Sequence, residues 1–386
     1  MTSRSLLFRL SNIDWDFAGS YSESLFSAIH FHPCRFASQL PATLIGLLSA
    51  PGDLVVDPFA GSGTTLVEAQ RLDRQSLGID LNPISVLAAR AKTINKPATV
   101  ISAAMSLVKH EATNCLGAQM STCKRRLDPI IPPTVQVKKW YTPRVASDLG
   151  LLWALIHDLE DDNILLAEAA FSAILLATCR ETRHWGYICD NTTPKADRGA
   201  DVLAEFVRVL ERLDRAYRDR DAEILARSGS AASIREVKVV ASDAMAALDR
   251  QPSSTVDLVI TSPPYFGVCD YIKAQRLSME WFGIGIEELR LREIGARSKR
   301  HRGQASQEYL KDLRVVFLEV RRCLRKSGHM ALIIGESARR KGVLSDLRNM
   351  LTAVGFTVRS EINRTVSTQR RMAPSITGEH VFVLAR

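Results

Sequence analysis

The chain has 386 residues, 46% of them apolar and 24% charged, which excludes a disordered chain and leaves room for one large domain with an insertion, or for two domains. Lys and Arg outnumber Asp and Glu by 51 to 42, a formal charge of +9 that favours polyanionic partners without specifying one. Seven cysteines, an odd number with no C-x-x-C pair, argue against a disulfide framework and a structural zinc site; no apolar run reaches the about eighteen residues of a membrane span, so a cytoplasmic chain is expected.

In chain order, residues 1 to 29 carry Trp15, Phe17, Tyr21 and Phe26 and read as a packed extension. Pro33 and Pro41 punctuate a loop, and LPATLIGLL predicts a short helix ended by Pro51 and Gly52. VVDPFAGSGTT, 55 to 65, then reads as a buried strand, an acid at its tip and a glycine-rich turn, with helical spacing resuming in LVEAQRLD. SLGID is the second strand, closed by Asp80, and Asn82 with Pro83 supplies an N-cap and a first helical residue. From 97 to 233 the periodicity is mostly helical. Strand patterns return in EVKVVASDA and DLVITSPPY; a helix follows, stopped at Gly328, then HMALIIGE, one more helix, and the closing strands FTVRSEI and EHVFVLAR. This alternation predicts a doubly wound, mostly parallel α/β sheet with ligands at the carboxyl ends of its strands. The expected divisions are 1–96 and 234–386, together forming the sheet, with 97–233 as a helical insertion.

Gly61 and Gly63 let the backbone curl against a ligand, and the amides of the following helix face whatever sits in the turn. A P-loop needs Lys before Ser/Thr, but Thr64 and Thr65 follow Gly63; a dinucleotide fingerprint needs a third glycine. A third reading fits better. Asp57 at the strand tip suits an ammonium and Asp80 suits a ribose diol, and an ammonium with a ribose describes S-adenosylmethionine (SAM).

Ser262 and Pro263 each precede a proline, which stiffens the loop at the end of DLVITSPPY. The Ser262 hydroxyl and Pro263 carbonyl are placed to accept both hydrogens of an exocyclic amine, whose ring-delocalised lone pair is then localised toward an electrophilic methyl. Pro264 fixes the turn, and Tyr265 is expected to stack on the base.

DPFAGSGTT together with TSPPY resembles the amino-methyltransferases that modify DNA at cytosine N4 or adenine N6, over about 31–95 and 236–386. The resemblance implies a Rossmann-like class I SAM-dependent methyltransferase. It places Phe31, His32 and Pro33 at the methionine end of the cofactor, and Asp57, Phe59, Gly61, Ser62, Gly63 and Thr64 in its loop. Asp80 falls at the ribose, Asn82 among the further cofactor contacts, Asp243 near the adenine, and Ser262 to Tyr265 in the catalytic loop. Ser in place of Asp or Asn looks like the N4-cytosine subgroup, with adenine N6 and RNA amino-methylation as alternatives and a catalytically silent nucleic-acid binder as the weakest. Many SPPY enzymes place the catalytic loop first; here the cofactor loop leads, which makes the helical insertion a candidate for target recognition. The implied partner is duplex DNA with a flipped base, with room for a restriction partner; no metal and no membrane are implied. Candidate phosphate grips are Arg297, Lys299, Arg300 and Arg302, and the mixture in CRETRHWGY nominates Arg183 and Trp185. A cytosine C5 enzyme would need a nucleophilic Cys where this loop has Pro-Tyr.

Overall fold

The computed structural model describes residues 8–17, 24–30, 37–117, 127–181, 193–194, 199–229, 234–299, 301, 303–336, 342–365 and 378–386. The sheet half begins with α1 (Gln39–Leu48), β1 (Leu54–Asp57), α2 (Thr64–Arg71), β2 (Gln75–Asp80) and α3 (Pro83–Lys92). Five helices follow: α4 (Ala98–Leu116), α5 (Val135–Trp140), α6 (Pro143–Ile156), α7 (Asp161–Thr178) and α8 (Val202–Ser228). The sheet resumes with β3 (Val237–Ala241), α9 (Ala244–Asp249) and β4 (Val256–Thr261), after which come the short helices α10 (Tyr271–Ala274), α11 (Arg276–Trp281) and α12 (Glu287–Arg292). It closes with α13 (Ala305–Cys323), β5 (Leu324–Glu336), α14 (Val343–Val354), β6 (Thr357–Thr365) and β7 (Gly378–Ala385).

Seven strands form one sheet in the order β3-β2-β1-β4-β5-β7-β6. The pairings from β3 through β5 are parallel, and β7 runs antiparallel between β5 and β6. The central strands β1, β4, β5 and β7 are mostly apolar on both sides because both faces are covered there. Val56, Val259, Met330, Leu332 and Phe382 pack with α9, α13 and α14, while the alternating Val55, Leu258, Ala331, Ile333 and Val383 pack with α1 and the N-terminal Leu10 and Trp15. The chain reverses its winding between β1 and β4, which are hydrogen-bonded neighbours, so a crevice opens beyond their carboxyl ends.

Helices α4 to α8 share an apolar core that includes Met105, Trp140, Leu149, Phe171 and Leu210 and is continued by Val67 of α2 and the N-terminal Phe26 and Ile29. Leu277 and Trp281 of α11 are buried in that core, which ties it to the segment following the diproline loop.

Gly328 does not stop the preceding helix. That helix ends at Cys323, and β5 starts at once, pairing Leu324 with Val256 and then His329 with Leu258, so 325–328 bulge out of register. Gly328 lies where a Cβ would stand 3.1 Å from the Asp257 carbonyl. Among the described residues, no helix is long and apolar enough to cross a membrane.

Candidate active site

One cavity occupies the crevice beyond β1 and β4. Its empty space, open solvent at the mouth included, is about 930 Å³. Phe59, Gly61, Ser62 and Thr64 of the glycine turn line it, with Asp80, Asn82 and Asp243 from the ends of β2 and β3. Ser262 and Pro264 of the diproline loop line the same cavity.

The glycine turn is held by close packing. Gly61 and Gly63 have φ of +50° and +85°, and a Cβ on Gly63 would stand 2.9 Å from Ala89 Cβ on α3. Gly63 therefore brings the turn against α3 and leaves the cavity wall to its neighbours. Beneath the turn, Lys92 Nζ donates to the Ser62 carbonyl at 3.1 Å, a buried cation under the loop that nothing in the apolar run ISVLAARAK announced.

Asp80 accepts from the Gly61 N–H and the Asn82 N–H, both at 2.8 Å, which fixes the turn to the end of β2. Burial pushes its carboxyl up to about 6 against those two hydrogen bonds. Asn82 caps α3 by accepting from Ile84 and Ser85, and Asp243 caps α9 by accepting from Met245 and Ala246. Both acids and the amide thus present rigid side chains to the cavity.

The structure does not bring Asp57 to the cavity wall. The residue is 1% exposed, and its two oxygens accept from Thr65 Oγ1 and Thr261 Oγ1 at 2.7 Å each and from the Phe59 N–H at 3.1 Å. It fastens the tip of β1 to the tip of β4 and to the first turn of α2. Burial raises its carboxyl to about 6, opposed by the hydrogen bonds from Thr261, Thr65 and Phe59, with a further rise from Asp80.

Tyr265 is also placed away from the cavity, contrary to the stacking expected from sequence. It is 5% exposed, and its ring lies so close to β5 that a Cβ on Gly335 would be 2.4 Å from Cε2. Its hydroxyl donates to Glu379 Oε1 at 3.1 Å, and Glu379 pairs with Arg364 at 3.3 Å. This ring anchors the diproline loop to β5 and β7. The aromatic side chains that do line the cavity are Phe59 and Tyr271, the latter with a hydroxyl that accepts from the Tyr265 N–H at 3.3 Å. Pro263 is buried beneath the wall.

The segment after the diproline loop folds back as a flap. Gly267 N–H donates to Gly295 O at 2.8 Å, Arg297 N–H to Cys269 O at 3.1 Å, and Ser298 N–H to Asp270 Oδ1 at 2.8 Å. Glu293, a residue with no motif to flag it, lines the cavity from this flap. Lys299 Nζ donates to the carbonyls of Leu291 and Glu293 at 2.8 and 2.7 Å, so its ammonium holds the flap instead of pointing to solvent. Arg297 is partly exposed. Phe31, His32, Pro33, Arg183, Trp185, Arg300 and Arg302 lie outside the described residues.

The cavity fits SAM. It has a carboxylate at the β2 tip, where a ribose diol could donate, and a glycine turn along its wall. When bound, the cofactor supplies a methyl group activated by a sulfonium.

A family model described as DNA methylase matches residues 11–90. The type II methyltransferase M.MjaII of Methanocaldococcus jannaschii is 23% identical over 412 residues, covering 84% of this chain and 75% of the relative. M.MvaI of Kocuria varians is 23% identical over 70% of this chain and 61% of its own length. M.PvuII of Proteus hauseri is 43% identical, but over 60 residues, 16% of this chain and 18% of the relative. With its sheet order, its cavity and these matches, the chain is a methyltransferase that uses S-adenosylmethionine and is similar to the DNA amino-methyltransferases.

Proposed function

We propose that the protein methylates the exocyclic amine of a flipped base in duplex DNA, at cytosine N4. The observation that carries this reading is the shared cavity: Asp80 and the glycine turn line it together with Ser262 and Pro264. Asp80 would accept from the ribose hydroxyls, and the cap position of Asp243 would set it near the adenine. Ser262, with the Pro263 carbonyl, would accept the amine hydrogens and orient its lone pair; the choice of N4 rests on Ser in place of a carboxamide or carboxylate.

Flipping costs a few kcal/mol and is offset by phosphate contacts and pocket stacking. With Tyr265 turned into the sheet, the stacking surface would come from Tyr271 and Phe59. With Lys299 engaged in the flap, the phosphate grip falls to Arg297 and to the neighbouring basic residues. Helices α4–α8, joined through Trp281 to the post-catalytic segment, are the proposed reader of the target sequence.

The decisive measurement is mass spectrometry of nucleosides from duplex DNA and from structured RNA, each incubated with the protein and methyl-labelled cofactor. N4-methylcytosine in DNA alone is the expected result. Label confined to RNA would overturn the substrate assignment, and label on adenine N6 would overturn the base assignment.

A pH dependence follows from Asp80. The ionised carboxylate is the ribose acceptor, and its pKa of about 6 means that it protonates as pH falls through that value. Cofactor affinity should therefore be level above about pH 7 and weaken about tenfold per unit below 6. Calorimetric titration between pH 5 and 8 checks this; in Asp80→Asn the acid limb should disappear along with most of the affinity.

A further inference from the structure

Resting on the amino-methylation reading above, we propose that Glu293 takes the proton that the amine must lose. As the nitrogen–methyl bond forms, the carbon–sulfur bond breaks and its electron pair stays on sulfur. The nitrogen then carries a positive charge and one hydrogen more than the product. Neither a serine hydroxyl nor a peptide carbonyl, the acceptors that the diproline loop offers, is basic enough to keep that proton near neutral pH. A carboxylate on the same wall is, and it can pass the proton on to solvent through the cavity mouth.

Glu293 is 4% exposed and lines the cavity with Ser262 and Pro264. Its Oε1 accepts from the Tyr271 N–H at 2.5 Å and its Oε2 from the Ile272 N–H at 3.4 Å. A carboxylate has about four lone-pair sites, so two single contacts leave acceptor capacity. Lys299 holds the carbonyl of the same residue, and the flap ladder fixes the backbone on either side. The charged groups that face it are Asp270 and Lys299 within the flap, and Asp80, Asp243 and Arg292 around the cavity. Asp80 and Asp243, the other carboxylates lining the cavity, stand at the ends of β2 and β3 where the proposed cofactor contacts lie, and Asp57 lies below the wall, so Glu293 is the carboxylate that the flap brings to the cavity. Burial, with a smaller push from Asp270, raises it to about 7 against the backbone hydrogen bonds and Lys299, the range in which a base at neutral pH is most effective.

A purely structural Glu293 would do no more than cap the first N–H groups of α10. Glutamine can do that too, since it keeps an acceptor oxygen at the same reach. Glu293→Gln therefore separates the two roles. At saturating cofactor, single-turnover transfer by the parent should rise about tenfold per pH unit below 7 and then level off. Glu293→Gln should lose that limb and run about 10²–10³-fold slower, with cofactor affinity and melting temperature close to the parent's. Glu293→Asp, which keeps a base, should retain the limb. Independently of turnover, infrared difference spectra should show protonated-carboxyl absorbance titrating near pH 7 in the parent that falls by one group in Glu293→Gln, the remainder belonging to Glu68, whose buried carboxyl is also raised to about 7.

A Glu293→Gln protein with the parent's rate and pH profile, or with the infrared absorbance near pH 7 undiminished, overturns the proposal. A parent that transfers no methyl to any amine overturns the amino-methylation reading instead, and is recognised because the parent, not the variant, is silent.

Discussion

Ser262→Ala should lower single-turnover methyl transfer by about 10²–10³-fold while cofactor affinity stays within about threefold of the parent. The two halves of this expectation come from different parts of the site. The proposed cofactor contacts lie along the glycine turn and the tips of β2 and β3, on elements that do not include Ser262. The neighbouring Thr261 spends its hydroxyl on Asp57 at the bottom of the crevice, whereas Ser262 turns to the cavity. Removing one fixed hydrogen-bonding group from a preorganised site weakens what is bound most strongly in the transition state, here an amine whose lone pair must leave the ring. Ser262→Asn, which keeps an acceptor, should recover part of the rate. Calorimetry for the cofactor and quenched single-turnover assays with labelled methyl read the two quantities separately. A tenfold loss of cofactor affinity would move Ser262 into the cofactor wall, and an unchanged rate would remove it from the chemistry.

The winding of the sheet was legible because each strand is a local apolar run and each helix a local period, and the order of such units leaves few ways to stack them. The two loops were legible for the same reason: a glycine turn and a diproline are written in consecutive residues. What escaped the sequence was the direction of side chains whose partners are remote. Tyr265 turns inward because Gly335 leaves room for its ring and Glu379 takes its hydroxyl, a partner 114 residues away. Asp57 is drawn under the wall by Thr261, 204 residues on. Tyr271 and Glu293 sit in a polar stretch with neither motif nor period, and only the folding back of the flap brings them to the cavity. Lys299 looked like a phosphate ligand because its charge could be read and its two carbonyl partners could not.

Asp57→Ala should cost about 3 kcal/mol of stability and more than about 10²-fold in cofactor affinity, whereas Asp57→Asn should fold well and bind within about tenfold of the parent. If Asp57 met the ammonium directly, both variants would lose the same charge and bind equally poorly. Its buried position implies another route. It reaches the cofactor through the Phe59 N–H and through the β1–β4 fastening, and asparagine preserves an acceptor and the shape of both while alanine orphans two hydroxyls and an amide. The pH dependence of stability gives an independent reading. Its folded pKa of about 6 lies above the ordinary 3.8, so the group favours the folded state most when protonated, and that contribution is lost as pH rises through about 6. A rise of this size corresponds to about 3 kcal/mol. Asn carries no such titration, and the other groups cancel between the two proteins. The stability of the parent relative to Asp57→Asn should therefore increase steadily as pH falls from 7 toward 4, which denaturant titrations at each pH measure. A constant difference across that range would mean that the carboxylate is solvated in both states and does not sit under the wall.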